Sequence, residues 1–152
     1  MAYSTAEARQ QLLDDVAAAT DRLGVALAAL GEAYEQLDEY NADRLEEQLF
    51  RPVQTAYGRA QRTHAGFAQR YGLPSRTFAA APGGHPSQGV SGFVDAAVGA
   101  VVAADGMLAE LQDSMRPVEV GDAELRAGLS EVRRLLGDVP ARARAFGRSR
   151  GR

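Results

Sequence analysis

The sequence contains no cysteine, tryptophan, isoleucine or lysine. Without cysteine, the chain can form neither a disulfide bond nor a thiolate metal site. All 17 basic residues are therefore arginine, and 29 of the 152 residues are alanine. Arginine without lysine, and valine and leucine without isoleucine, are typical of a GC-rich bacterial genome rather than of selection for a function. Because alanine is the strongest helix former and strand-favouring residues are few, the composition favours an all-α fold.

Long apolar runs are also absent. The longest one covers nine residues, 96–104, between Asp95 and Asp105, whereas a helix needs about 20 residues to span a bilayer. No basic N-terminal region precedes an apolar segment, so no secretory signal is predicted. We therefore expect a soluble, cytoplasmic protein without a membrane span, whose length fits a single domain with its own core.

Charge alternates in blocks along the chain. Residues 1–50 contain 11 acids and 3 arginines, and residues 51–76 contain 5 arginines and no acid. Residues 77–115 contain 4 acids and no base, and residues 116–152 contain 9 arginines and 5 acids. Such blocks predict neighbouring helices of opposite charge. The net charge of −3 argues against nucleic acid as a partner, because nucleic-acid binding needs a basic face.

Apolar residues recur at spacings of three and four, the period of an amphipathic helix. Capping boxes predict helix starts at Ser4 and Asp43, Asp122 starts the last helix, and Pro52 should kink the second helix or split off a short first piece. The predicted helices are 4–39, 43–71, 90–116 and 122–146. The last has the most regular apolar stripe, formed by Leu125, Leu129, Val132, Leu136, Val139, Ala143 and Phe146.

Four helices with one apolar stripe each can bury those stripes only against one another. The sequence therefore predicts a single-domain antiparallel four-helix bundle over residues 1–147, formed by two helical hairpins. The connection 72–89 is rich in proline and glycine and longer than the usual two to eight residues. It either crosses an end of the bundle or is a functional loop, and residues 148–152 are predicted to be a flexible basic tail.

No catalytic or metal site is evident. The only histidines are His64 and His85, and neither belongs to the Glu-x-x-His motif of di-iron bundles. No Gly-x-Ser-x-Gly nucleophile elbow occurs, and the glycines before His85 are not followed by the Gly-Lys-Ser/Thr end of a phosphate loop. We therefore predict no catalytic residue, metal or cofactor, and do not expect an enzyme.

Two sets of residues on the second helix are candidates for ligand binding. His64, at the edge of the apolar stripe, is either an ordinary boundary histidine or the polar group of a small-molecule or lipid pocket. The other candidate pocket residues are Tyr34, Tyr57 and Phe67. Four arginines within about 100° on one face either bind phosphate or carboxylate groups or pair with acids of the first helix. They are Arg51, Arg59, Arg62 and Arg70.

The third helix carries a regular row of small residues opposite its bulky stripe. We refer to it as the small-residue face, and it consists of Gly92, Ala96, Gly99, Ala103 and Gly106. Interior glycines cost roughly 0.5–1 kcal/mol each relative to alanine, and small residues let another helix approach closely. The row either reflects the abundance of alanine and glycine or mediates self-association or binding of a partner helix.

Tyr34 and Asp38 match the short Tyr-x-x-x-Asp/Glu element of small helical-hairpin proteins exported by the type VII system. The element lies at the end of the first helix rather than near the C-terminus, and the Trp-x-Gly turn of those proteins is absent. We therefore do not assign the chain to that family, and export remains the weaker alternative to an interaction or ligand-binding protein.

Overall fold

The computed structural model describes residues 4–79, 81–82 and 88–150. Of these residues, 84% are helical and none is in a strand, so the all-α prediction is confirmed. A π-helical turn, Glu46–Phe50, joins the second α-helix to the third. The α-helices are α1 (Thr5–Glu35), α2 (Glu39–Leu45), α3 (Arg51–Arg70), α4 (Gly89–Asp113), α5 (Arg116–Glu119), α6 (Ala123–Leu136) and α7 (Val139–Arg150).

The N-cap of α1 lies where the sequence predicts it, and that of α2 does not. The Ser4 hydroxyl accepts a hydrogen bond from the backbone N–H of Glu7 (3.1 Å). The helix then ends at Glu35 rather than near residue 39, and the predicted restart at Asp43 is wrong. Asp38 is the N-cap instead, because its carboxylate accepts the backbone N–H of Asn41 (3.3 Å) and the Asn41 side-chain amide (2.7 Å).

Pro52 changes the helix before it, as expected. Proline has no N–H to offer the carbonyl four residues earlier, and the hydrogen-bond ladder here widens into the π turn. The backbone N–H of Arg51 accordingly reaches back to the carbonyl of Glu46. The short helix α2 is thus split off from α3, which is one of the two effects expected of Pro52; the other was a kink.

The second half of the chain contains more breaks than predicted. Met115 has a left-handed backbone (φ 66°) between α4 and the short helix α5. The predicted helix 122–146 is two helices, because Pro140 removes one backbone donor and disfavours helical geometry before it. The N-cap is Asp122, as predicted, and α7 continues to Arg150, so residues 148–150 of the predicted flexible tail are helical.

The long helices pack around a core of leucine, valine, alanine and phenylalanine. Helix α1 packs against α3 and α4, α3 packs against α6, and α7 packs against α4 and the π turn. Arg70 at the end of α3 pairs with Asp122 at the start of α6, so these two helices run in opposite directions. The seven residues of the apolar stripe predicted for the last helix are all buried.

The connection after α3 begins with a sharp reversal. Gly72 has a φ of +64°, and the N–H of Leu73 donates to the carbonyl of Ala68 (2.8 Å), which is a Schellman motif. Residues 73–79, which we call the strap, have no regular secondary structure. They pass over α1 and α3, and the rest of the predicted 72–89 loop lies largely outside the described residues.

Candidate functional site

The small-residue face lies on the outside of α4. Ala96, Gly99 and Gly106 are exposed, while Gly92 and Ala103 are half-buried. A Cβ atom built on Gly99 or Gly106 would meet no other atom within 4 Å, and one on Gly92 would meet the Gln88 side chain at 2.7 Å. At these two open glycines, α4 is therefore not packed against any other of the described residues.

Beyond its glycines and alanines, this face of α4 carries one exposed apolar side chain and two exposed acids. The acids are Asp95 and Glu110, which lie within 40° of Gly99 and Gly106 at about 100° per residue. Val102 is 53% exposed and lies 40° from Gly106 around the helix axis at about 100° per residue. By length and composition alone, α4 meets the criteria for a membrane-crossing helix, and 39% of its most apolar 18 residues are buried. One helix of this kind is weak evidence for a membrane span, because core helices of soluble proteins meet the same criteria.

Beside this face, an open groove of about 480 Å³ separates α4 from α7. Its apolar lining includes Val98 and Pro140, and its charged lining consists of Asp95, Arg144 and Arg148. None of these three charged side chains forms an ion pair with another described residue. Sequence patterns missed this groove because it depends on the break between α6 and α7, although the spacing of four between the two arginines was visible.

The four candidate pocket residues do not line one cavity. Tyr34 is exposed at the end of α1 beside Glu46 and Phe50. Tyr57 packs beside Gly24 of α1, where a Cβ atom on the glycine would lie 3.6 Å from the tyrosine side chain, an ordinary contact distance. Phe67 is fully buried and contacts Tyr71 with a ring-centroid separation of 4.7 Å. Tyr34 and His64 border two different open clefts.

The cleft beside His64 has a volume of about 370 Å³ and lies between α1, α3 and the strap. Its charged lining consists of Asp14, Asp21 and Arg76. His64 is 3% exposed, and its Nδ1 atom is buried without a hydrogen-bond partner among the described residues. Burial and, to a smaller extent, the charge of Arg76 lower the pKa of His64, whereas Asp14 acts in the opposite direction. The imidazole is therefore held in its neutral form at pH 7.

The four candidate arginines on α3 do not pair with α1. Arg70 instead binds two acids of the α6 region, Asp122 (2.6 Å) and Glu124 (2.7 Å), because α6 rather than α1 lies beside this face. Arg59 donates to the hydroxyl of Thr63 (3.2 Å). Arg59, Arg62 and Arg70 border one groove between α3 and α6. Arg51 is exposed and does not border it.

The structure also places the possible metal ligands and the Tyr-x-x-x-Asp element. Among the described residues, no three histidine, aspartate or glutamate side chains lie together as a metal-ligand set, and His85 lies outside those residues. Asp38 of the Tyr-x-x-x-Asp element caps α2, which gives this residue a structural role.

In comparisons with known proteins, no protein-family model, curated protein or solved structure matches the chain.

Proposed function

We propose that this protein is a non-enzymatic helical interaction protein that associates with a second copy of itself through the outer side of α4. The observation that carries the proposal is the open space around Gly99 and Gly106 on an exposed helix face of small residues. Within each copy, the proposed architecture is the antiparallel four-helix bundle, in which α6 and α7 together take the place of the fourth helix.

The absence of side chains on this face favours a helix as the partner surface. Packed helices usually lie 8–10 Å apart, depending on the side chains at the contact. Glycine and alanine at the crossing point allow the shorter end of this range or less. Val102 beside the crossing would then be removed from water, which stabilises association by roughly 25 cal/mol per Å² of apolar surface buried.

Charge complementarity favours a second copy over an unrelated helix. Helix α4 carries four acids and no base, and α7 carries four arginines and no acid. Asp95 of α4 borders the same groove as Arg144 and Arg148 of α7. In a two-fold symmetric dimer the outer sides of α4 meet each other, which brings their acids together. The favourable charge pairs are therefore those between Asp95 of one copy and Arg144 and Arg148 on α7 of the other.

The first test replaces Gly99 with leucine. The side chain has room in the single chain, so the fold should remain intact and the helix should gain roughly 0.5–1 kcal/mol from propensity. The dimer should weaken by at least tenfold, measured by light scattering after size exclusion over a range of concentrations. Gly31→Leu is the matched control, because Gly31 also lies inside a long helix with no atom within 4 Å of its Cβ position, on α1.

The second test reverses charge in the groove. Arg144→Glu combined with Arg148→Glu should weaken the dimer, and its salt dependence should decrease. Arg51→Glu combined with Arg62→Glu makes the same change in net charge on α3 and should leave the dimer unchanged. A parent protein that stays monomeric at millimolar concentration would end the proposal, as would a dimer unaffected by Gly99→Leu.

A second candidate function is binding of a small polar molecule in the cleft beside His64. Its support is the buried, unpartnered Nδ1 atom and the charged lining of that cleft. The wider pocket with Tyr34, Tyr57 and Phe67 lacks this support, because those residues lie elsewhere. A screen of small polar compounds by thermal shift, repeated with His64→Gln, separates this function from self-association.

A further inference from the structure

The strap is fastened to the helices mainly by two side chains. Arg76 forms an ion pair with Asp21 of α1 (2.8 Å), and its guanidinium lies 4.6 Å from the centre of the Phe78 ring. The Phe78 ring meets His64 of α3 edge-on, with centroids 5.3 Å apart. Beyond Leu73, the strap makes no backbone hydrogen bond to the described residues. Its position therefore depends on these few side-chain contacts.

His64 lies under this segment in a site that suits only its neutral form. The charged groups of the described residues that face the cleft are Asp14 and Asp21 from α1 and Arg76 from the strap. Asp21 is engaged by Arg76, and Asp14 accepts a hydrogen bond from Gln10 (2.9 Å). A protonated imidazole needs acceptors for two N–H groups, and the buried Nδ1 atom has none.

We propose that the strap is a pH-responsive cover over His64, packed against the imidazole while His64 is neutral and lifted when His64 is protonated. The strap is the movable element, because α1 and α3 contribute to the core whereas residues 74–79 do not. Lifting it removes Phe78 and Arg76 from the imidazole and admits water to both ring nitrogens. This inference does not depend on self-association through α4.

The sign follows from proton linkage. The pKa of His64 is lower in the closed form than its ordinary value of about 6.5, which an opened and hydrated site restores. The open form therefore binds more protons, and a fall in pH below about 6.5 favours opening by up to about tenfold per pH unit. Above pH 7 both forms are neutral, so the open fraction should not change.

A spin label on the strap measures this opening. Because the chain has no cysteine, Thr77→Cys provides a single labelling position on an exposed strap residue. The mobile component of the nitroxide spectrum should grow relative to the immobile one as pH falls below about 6.5, and it should level off below the lowered pKa of His64 in the closed form. The response should disappear in the same chain with His64→Gln, and His85→Gln is the matched control that should retain it.

A flat pH profile in the parent, or an unchanged response in the His64→Gln chain, overturns the proposal. If His64→Gln does not fold, an NMR titration of the His64 ring in the native chain gives an independent decision. The titration midpoint should lie below 6.5 and rise in Phe78→Ala, which removes the ring that covers the imidazole. A midpoint at or above 6.5 that Phe78→Ala does not move also overturns the proposal.

Discussion

Helices α3 and α6 approach closely where Gly128 faces Thr63. A Cβ atom at position 128 would lie 2.1 Å from the Thr63 hydroxyl oxygen, 2.7 Å from its methyl carbon and 2.9 Å from its Cβ atom. Carbon atoms in contact normally lie about 3.5–4.0 Å apart. Rotation of the Thr63 side chain about its Cα–Cβ bond does not remove the clash. Its Cβ atom does not move in that rotation, and another substituent of the branched Cβ takes the place of the hydroxyl or the methyl group. Gly128→Ala must therefore move the two helices apart.

The magnitude follows from two opposing contributions. Alanine in place of a helical glycine stabilises by roughly 0.5–1 kcal/mol, and overpacking a well-filled interface costs about 1–3 kcal/mol. Because the clash involves the Cβ atom of Thr63, it can be relieved only if α3 and α6 shift. We therefore expect the overpacking cost to exceed the gain in helix propensity. Gly128→Ala should lower the free energy of unfolding by about 1–2 kcal/mol, which corresponds to roughly 2–4 °C in Tm per kcal/mol for a chain of this size.

Urea denaturation followed by circular dichroism measures the change. Gly31→Ala is the control, because the same substitution at an open helical position should stabilise by roughly 0.5–1 kcal/mol. Thr63→Ala should partly rescue Gly128→Ala, since it removes the two nearest atoms, with a coupling of about 1 kcal/mol in the double-mutant cycle. If Gly128→Ala is as stable as the parent, the close contact between α3 and α6 is refuted.

Two further predictions concern α6. Leu129→Ala should cost about 2–5 kcal/mol in urea denaturation, because Leu129 is 1% exposed in the core; a loss below 1 kcal/mol would contradict its burial. Asp122→Asn should cost less than about 1 kcal/mol, since asparagine keeps the N-cap and only the partly exposed ion pair with Arg70 is lost. The hydrogen bond from Arg70 lowers the pKa of Asp122. The ion pair therefore stabilises the fold at neutral pH, and this stabilisation disappears as pH falls through the lowered pKa. Asp122→Asn should accordingly flatten this part of an acid-unfolding profile.

The core was predictable from the sequence because burial follows a local period. Leu125 through Phe146 recur at the helical spacing, and this register survives the break before Pro140. Helix ends were less predictable, because several polar residues near a turn compete as caps. Asp38 and Asp43 both satisfy the sequence rule, and only the geometry shows that Asp38 accepts the free N–H group of Asn41.

The candidate sites were harder to predict because their contacts are distant in sequence. Arg76 and Asp21 are 55 positions apart, and no periodic pattern connects them. The arginines of α3 are a second example. The sequence showed that they share one face of the helix, but it did not show that α6 rather than α1 lies beside that face. The cleft and the strap depend on a connection whose path over the helices is set by tertiary packing rather than by local preference.

The glycines of the long helices differ in what the fold requires of them. Gly128 has a structural reason, because it permits the close contact between α3 and α6. At Gly24 a Cβ atom would only make an ordinary contact with the Tyr57 ring. Gly99 and Gly106 have neither a neighbour within 4 Å nor a positive φ, yet they cost the monomer roughly 0.5–1 kcal/mol each relative to alanine.

Open space alone does not distinguish the two glycines of α4, because Gly31 and Gly147 are equally open. What distinguishes them is that they share one exposed face with Ala96 and Val102. A row of glycine and alanine on an exposed face destabilises an isolated helix through its glycines and favours the close approach of a second helix. A dimer formed through this face would recover the cost of Gly99 and Gly106, which no contact within the described part of the chain offsets.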